Sequence, residues 1–115
     1  MMTTPSEKII MAASAVIETT DRNGRQIKVR RLAALDRLRL FKALGSTLVE
    51  NSAYFTTAYL AAATVEIDSV PIPWPSNELQ IEAIVARLGD GGLDAVSDIL
   101  AAAAATVIEA TTAGN

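Results

Sequence analysis

The sequence predicts a mainly α fold: a small helical domain of about four helices, with a short N-terminal β-hairpin and a proline-rich clasp. Three observations predict it. Apolar residues recur three and four positions apart over several separate stretches. Asn23-Gly24 stands between two short runs rich in β-branched residues, a strong hairpin signal. Pro71, Pro73 and Pro75 then crowd into the stretch Ile67 to Pro75, where a continuous helix is forbidden.

Taken in order, residues 1–8 read as a loose polar tail, and Ile9 to Ile17 has no clean period and fits either helix or strand. The hairpin admits two registers. A two-residue turn puts Ile17 opposite Arg30 and mixes the faces. A three-residue loop, Arg22-Asn23-Gly24 with Gly24 left-handed, sets Ile17 opposite Val29, Glu18 opposite Lys28 and Thr19 opposite Ile27. The second keeps the apolar residues on one face and is the expected register.

Leu32 to Leu44 reads as a helix with Leu35, Leu38, Phe41 and Leu44 as its buried stripe, ended by Gly45. Asn51 is a good N-cap for a second helix reaching about Val65, with Phe55, Ala58, Ala62 and Val65 facing inward. In the clasp, Asp68-Ser69 is a plausible two-residue turn and Trp74 a large apolar plug. Asn77 with Gln80 resembles a capping box for a third helix, whose stripe is Ile81, Ile84, Val85 and Leu88. Gly89 stops it and Asp90-Gly91-Gly92 reads as a turn. The last helix then carries a seam of Leu93, Val96, Leu100, Ala103 and Val107, fit for the core or for a partner; residues 111–115 are expected to fray.

A chain of 115 residues suits one domain with a single core, here residues 1–115. Without cysteine or histidine it lacks disulfides, thiol nucleophiles, the usual zinc ligands and the usual neutral-pH proton shuttle. No glycine-rich phosphate loop is present, and the serines and threonines have no histidine to activate them. Glu78 with Glu82 and Asp94 with Asp98 are carboxylates four apart, read as exposed acidic faces and not as a cation or proton site. The expectation is a protein without catalytic residues, metal or cofactor. A signal peptide is disfavoured because the apolar run from Ile9 is short, and the alanine-rich C-terminal run is too short to cross a membrane.

The net charge of −3 hides a split. Through Ala43 there are nine basic and four acidic residues, net +5; from Leu44 onward one basic and nine acidic, net −8. Either the halves compensate on folding, or the molecule stacks on its own copies or docks a charged partner. Arg30, Arg31, Arg37, Arg39 and Lys42 form the best candidate binding patch. It lacks interleaved aromatics, so it reads as a protein-binding face and not a nucleic-acid one.

One long ordered series of residues carries a resemblance. It runs Asn23-Gly24-Arg25, Ile27-Lys28-Val29-Arg30-Arg31-Leu32, then Ala34-Leu35-Asp36-Arg37-Leu38-Arg39-Leu40-Phe41-Lys42-Ala43. Glu50-Asn51, Ala61-Ala62, Val65 to Pro73 and Ala86-Arg87-Leu88-Gly89-Asp90-Gly91-Gly92 complete it. Over roughly Val16 to Leu100 this order resembles the small tail assembly chaperones of long-tailed bacteriophages and related prophages, with Ser69 where members often place glycine. The resemblance lies in overall order and in no catalytic signature. It implies a non-enzymatic chaperone that coats and solubilises the tape-measure protein, with the tail-tube protein as a second candidate partner and self-association allowed. It also implies a place in the host bacterial cytoplasm and absence from the mature virion, with neither nucleic acid nor membrane as a partner. A structural tail-completion protein and a small DNA-binding regulator are the alternatives.

Overall fold

The computed structural model describes residues 15–113, without the side chains of residues 46–49 and 105–113. The expectations for residues 1–8, for Ile9 to Ser14, for residues 114–115 and for the Val107 side chain fall outside it, while residues 111–113, expected to fray, are helical. The described elements run β1 (Val16–Thr20), β2 (Gln26–Arg30), α1 (Ala34–Val49), α2 (Ser52–Ala63), β3 (Thr64–Ile67), β4 (Val70–Pro71) and α3 (Glu78–Ala113). Four antiparallel strands lie in the order β1-β2-β3-β4. The fold of the described residues is therefore α+β, three helices and a four-stranded sheet, and the expected mainly α domain of about four helices is wrong.

The first hairpin takes the three-residue register: Ile17 pairs with Val29, Glu18 with Lys28 and Thr19 with Ile27. Gly24 has a φ of 82°, as the loop demands. Asp21 ties the loop down, its carboxylate accepting from the N–H groups of Asn23 and Arg25 at 3.0 and 2.9 Å.

The misreading arose between α2 and the clasp. Asn51 caps α2 as expected, its side chain accepting from the Tyr54 N–H at 3.1 Å. The helix ends at Ala63, however, because Thr64 turns extended, and the chain enters β3 with no loop between. Thr64-Val65-Glu66-Ile67 is β-branched at three of four positions, which favours a pleated strand over a last helical turn. β3 pairs along β2 with a register shift at Lys28/Val29. Asp68 and Ser69 both have positive φ, 47° and 68°, and make the two-residue turn that returns the chain as β4, with Ile67 opposite Val70.

Two glycines interrupt the helices. Gly45 (φ 81°) breaks α1 and Gly89 (φ 64°) breaks α3, both where the sequence places a stop. Beyond Gly89 the expected turn is absent: Asp90, Gly91 and Gly92 are helical and α3 resumes at once. Gly91 and Gly92 are buried because the β1–β2 turn lies against them. A Cβ on Gly91 meets the Arg22 side chain at 3.1 Å, and one on Gly92 meets Leu88 Cβ at 3.0 Å.

The core joins Ile27, Val29 and Ile67 of the sheet to Ala58, Ala61 and Ala62 of α2 and Ile81, Leu88 and Val96 of α3. Small residues along α2 let these layers approach closely. From the clasp, Ile72 and Pro75 are buried, while Trp74 is only half-buried, so it is not the expected plug between two helical halves.

Candidate partner-binding face

α1 turns to the core a face that shares only Leu44 with the expected stripe. Leu40 and Leu44, with Leu32 just before the helix, are buried. Leu35, Leu38 and Phe41, expected inside, are 55%, 63% and 40% exposed. The start of the helix sets this rotation. Asp36 Oδ2 accepts from the Ala33 N–H at 3.0 Å and from Arg30 Nη1 at 2.9 Å, so the first turn is pinned to the end of β2. The Arg30 guanidinium beside Asp36 holds that carboxyl below its ordinary range, against burial, which pushes it up.

The five predicted basic residues thus separate. Arg30 is engaged with Asp36 and Arg31 is half-buried. Arg37, Arg39 and Lys42 are exposed on α1, and among the described residues none of the three side chains donates a hydrogen bond or closes an ion pair. Arg39, three residues further along the helix, adds an electrostatic attraction to Asp36 without closing an ion pair. Beside them Phe41 stacks on Phe55 of α2, with ring centroids 5.2 Å apart and planes 21° from parallel. Phe55 in turn meets Tyr59 at 6.4 Å. This row of rings fixes the Phe41 side chain at the surface.

The acidic carboxylates singled out as pairs are used singly. Glu82 accepts from the Tyr54 hydroxyl at 3.4 Å, and Asp94 faces Arg22 at 3.5 Å. Burial, with the charges of Glu82 and Glu78 added, raises the Tyr54 hydroxyl above its ordinary pKa. On the sheet, Lys28 meets Glu66 at 3.0 Å, and that carboxylate raises the lysine's pKa. No group of three or more Asp, Glu, His or Cys residues that could hold a metal ion occurs among the described residues. No described helix is long and apolar enough to cross a membrane.

A concave surface lies under the clasp. Ile72, Pro73, Trp74, Ile84 and Arg87 line an open apolar groove of about 400 Å³. The Gln80 side chain at its rim is already occupied, Oε1 accepting from the Ser76 N–H at 2.7 Å.

Sequence reasoning found the cations of α1 and missed the apolar residues between them. A signal was present: Leu44, the last residue of the expected stripe, also pairs at i, i+4 with Leu40, and the helix buries that pair in place of Leu35, Leu38 and Phe41. Compared with protein-family models, with curated proteins and with solved structures, the chain matches none.

Proposed function

We propose that this protein is a tail assembly chaperone of the long-tailed bacteriophage type. In this reading it binds and solubilises the tape-measure protein in the host bacterial cytoplasm, performs no chemistry, and leaves before the virion is complete. The ordered series of residues from Asn23 to Gly92 supports it. The observation that carries it is the outer face of α1, where Leu35, Leu38 and Phe41 stand in solvent beside Arg37, Arg39 and Lys42. Large apolar side chains grouped with cations that close no ion pair among the described residues mark a surface made to hold another chain. Weak contacts of this kind, repeated by many copies along one long helix, give the avidity a holding protein needs.

The experiment is co-expression with the tape-measure protein encoded in the same genome, reading soluble yield and co-purification. Soluble complex, with this protein absent from purified particles, is the expected result. Retention in particles favours a structural tail-completion protein. Steeply salt-dependent binding to duplex DNA, without capture, favours a regulator.

A further inference from the structure

We infer that the outer face of α1 receives an amphipathic helix whose apolar seam is bordered on both sides by carboxylates. This rests on the reading of that face as a partner surface and specifies the chemistry of the segment it takes. At about 100° per residue, the order around the helix is Arg37, Phe41, Leu38, Lys42, Leu35, Arg39. The apolar residues form one seam, Arg37 borders it on one side, Arg39 on the other, and Lys42 stands within it near its C-terminal end. From Leu35 to Phe41 the seam runs about 9 Å, at 1.5 Å per residue. That length matches two turns of a facing helix, with apolar side chains at i, i+3 or i+4, and i+7.

Charge decides among occupants. Three cations without an ion pair among the described residues reject a basic or neutral-rimmed helix and favour one with Asp or Glu flanking its seam. The face is also pre-organised, since Phe41 is held by Phe55 and the helix start by Asp36. Little further ordering is then needed when a partner lands.

The test uses the full chain and two synthetic peptides of about 20 residues, long enough to hold a helix. Both carry leucine at seam positions; one has glutamate on both flanks, the other lysine. Binding is read by fluorescence anisotropy at low and high salt. The glutamate peptide is expected to bind more tightly by about tenfold, since three exposed ion pairs add modestly each, and salt should narrow the gap. Arg37→Glu with Arg39→Glu should reverse the preference, and Leu38→Ala should weaken binding while leaving the preference in place. Circular dichroism and melting of the variants confirm that the fold is kept.

Equal binding of the two peptides, no binding of the glutamate peptide, or indifference to these substitutions overturns the inference. So does sedimentation in which Leu38→Ala turns a dimer into a monomer while no peptide binds, because a second copy then covers the face. The peptide result stands apart from the tape-measure experiment. Peptide binding without tape-measure capture removes the chaperone reading and leaves the surface assignment. Capture that ignores all three substitutions, with no peptide bound, does the reverse.

Discussion

The carboxylate of Asp21 holds the guanidinium of Arg25 at 2.8 Å, and the Asp21 side chain has no contact with solvent. So oriented, Arg25 donates from Nη1 to the Arg87 carbonyl at 2.6 Å and from Nη2 to the Leu88 carbonyl at 2.5 Å. Those carbonyls end the first half of α3 at Gly89 and have lost their partners in the next turn. A side chain from the first hairpin thus supplies what the broken helix lacks, and its positive charge faces the negative end of the helix dipole.

Arg25→Ala should therefore cost about 2–3 kcal/mol, the usual worth of charged hydrogen bonds, here one exposed and one part-buried. Arg25→Lys should recover only part of it, because an ammonium cannot span two carbonyls as a planar fork does. Urea denaturation of the three proteins measures both differences. Equal midpoints for Arg25→Ala and the parent would mean the contact adds nothing.

Stability should be flat near neutral pH and fall at both extremes. The chain has no histidine to titrate between. Burial pushes the Asp21 carboxyl up, but the hydrogen bonds from the Arg25 N–H and guanidinium and from Asn23 outweigh it, and the net shift is downward. Asp36 is lowered by Arg30. For both, the folded pKa lies below the unfolded value near 3.8, so their contribution is complete above that pH and is lost as the pH falls through the folded values. Lys28 and Tyr54 are raised above 10.5 and 10.0, so theirs is complete below those values and is lost as the pH rises through the folded ones. Melting temperature against pH checks the profile, and Asp36→Asn should flatten its acid side.

The rotation of α1 makes a paired prediction. Leu40→Ala should destabilise by roughly 2–5 kcal/mol, as for other buried leucines. Leu38→Ala should stay within about 0.5 kcal/mol, as an exposed position does. The opposite ranking in thermal melts would return Leu38 to the core.

Trp74→Ala should cost about 1–2 kcal/mol, less than the roughly 3–5 of a fully buried aromatic, because one side of the ring lines an open groove. Its fluorescence should be partly quenched by acrylamide. Emission shielded from quencher would place the ring inside.

What the sequence made legible was local. Gly24, Asn51, Asn77 with Gln80, Gly45 and Gly89 each act within a few residues of themselves, and the structure uses each at its expected place. What stayed hidden depended on distant partners. Thr64 to Ile67 became a strand because β2 lay ready to pair with it, and the pairing even skips a residue at Lys28/Val29. Asp90-Gly91-Gly92 has the composition of a turn, yet it is helical beneath the first hairpin. For the candidate face, the cations could be read from charge alone. Its apolar seam was harder to read, because the helix's periodicity allowed two faces and the Arg30–Asp36 pair that pins its first turn joins it to a strand outside it.

The break at Gly89 also divides the cooperative behaviour of α3. Unbroken, its 36 residues would form a rod of about 54 Å, longer than the 43 Å greatest extent of the described fold. Because the peptide chain leaves helical geometry at one residue, hydrogen bonding does not propagate through it, and each arm opens on its own terms. The first arm is locked by Ile81, Ile84 and Leu88, whereas over residues 90–104 the second buries one large side chain, Val96, beside Gly91 and Gly92. Amide protons of the second arm should exchange through a partial opening that spares the sheet. Those of the first should exchange only when the whole molecule unfolds.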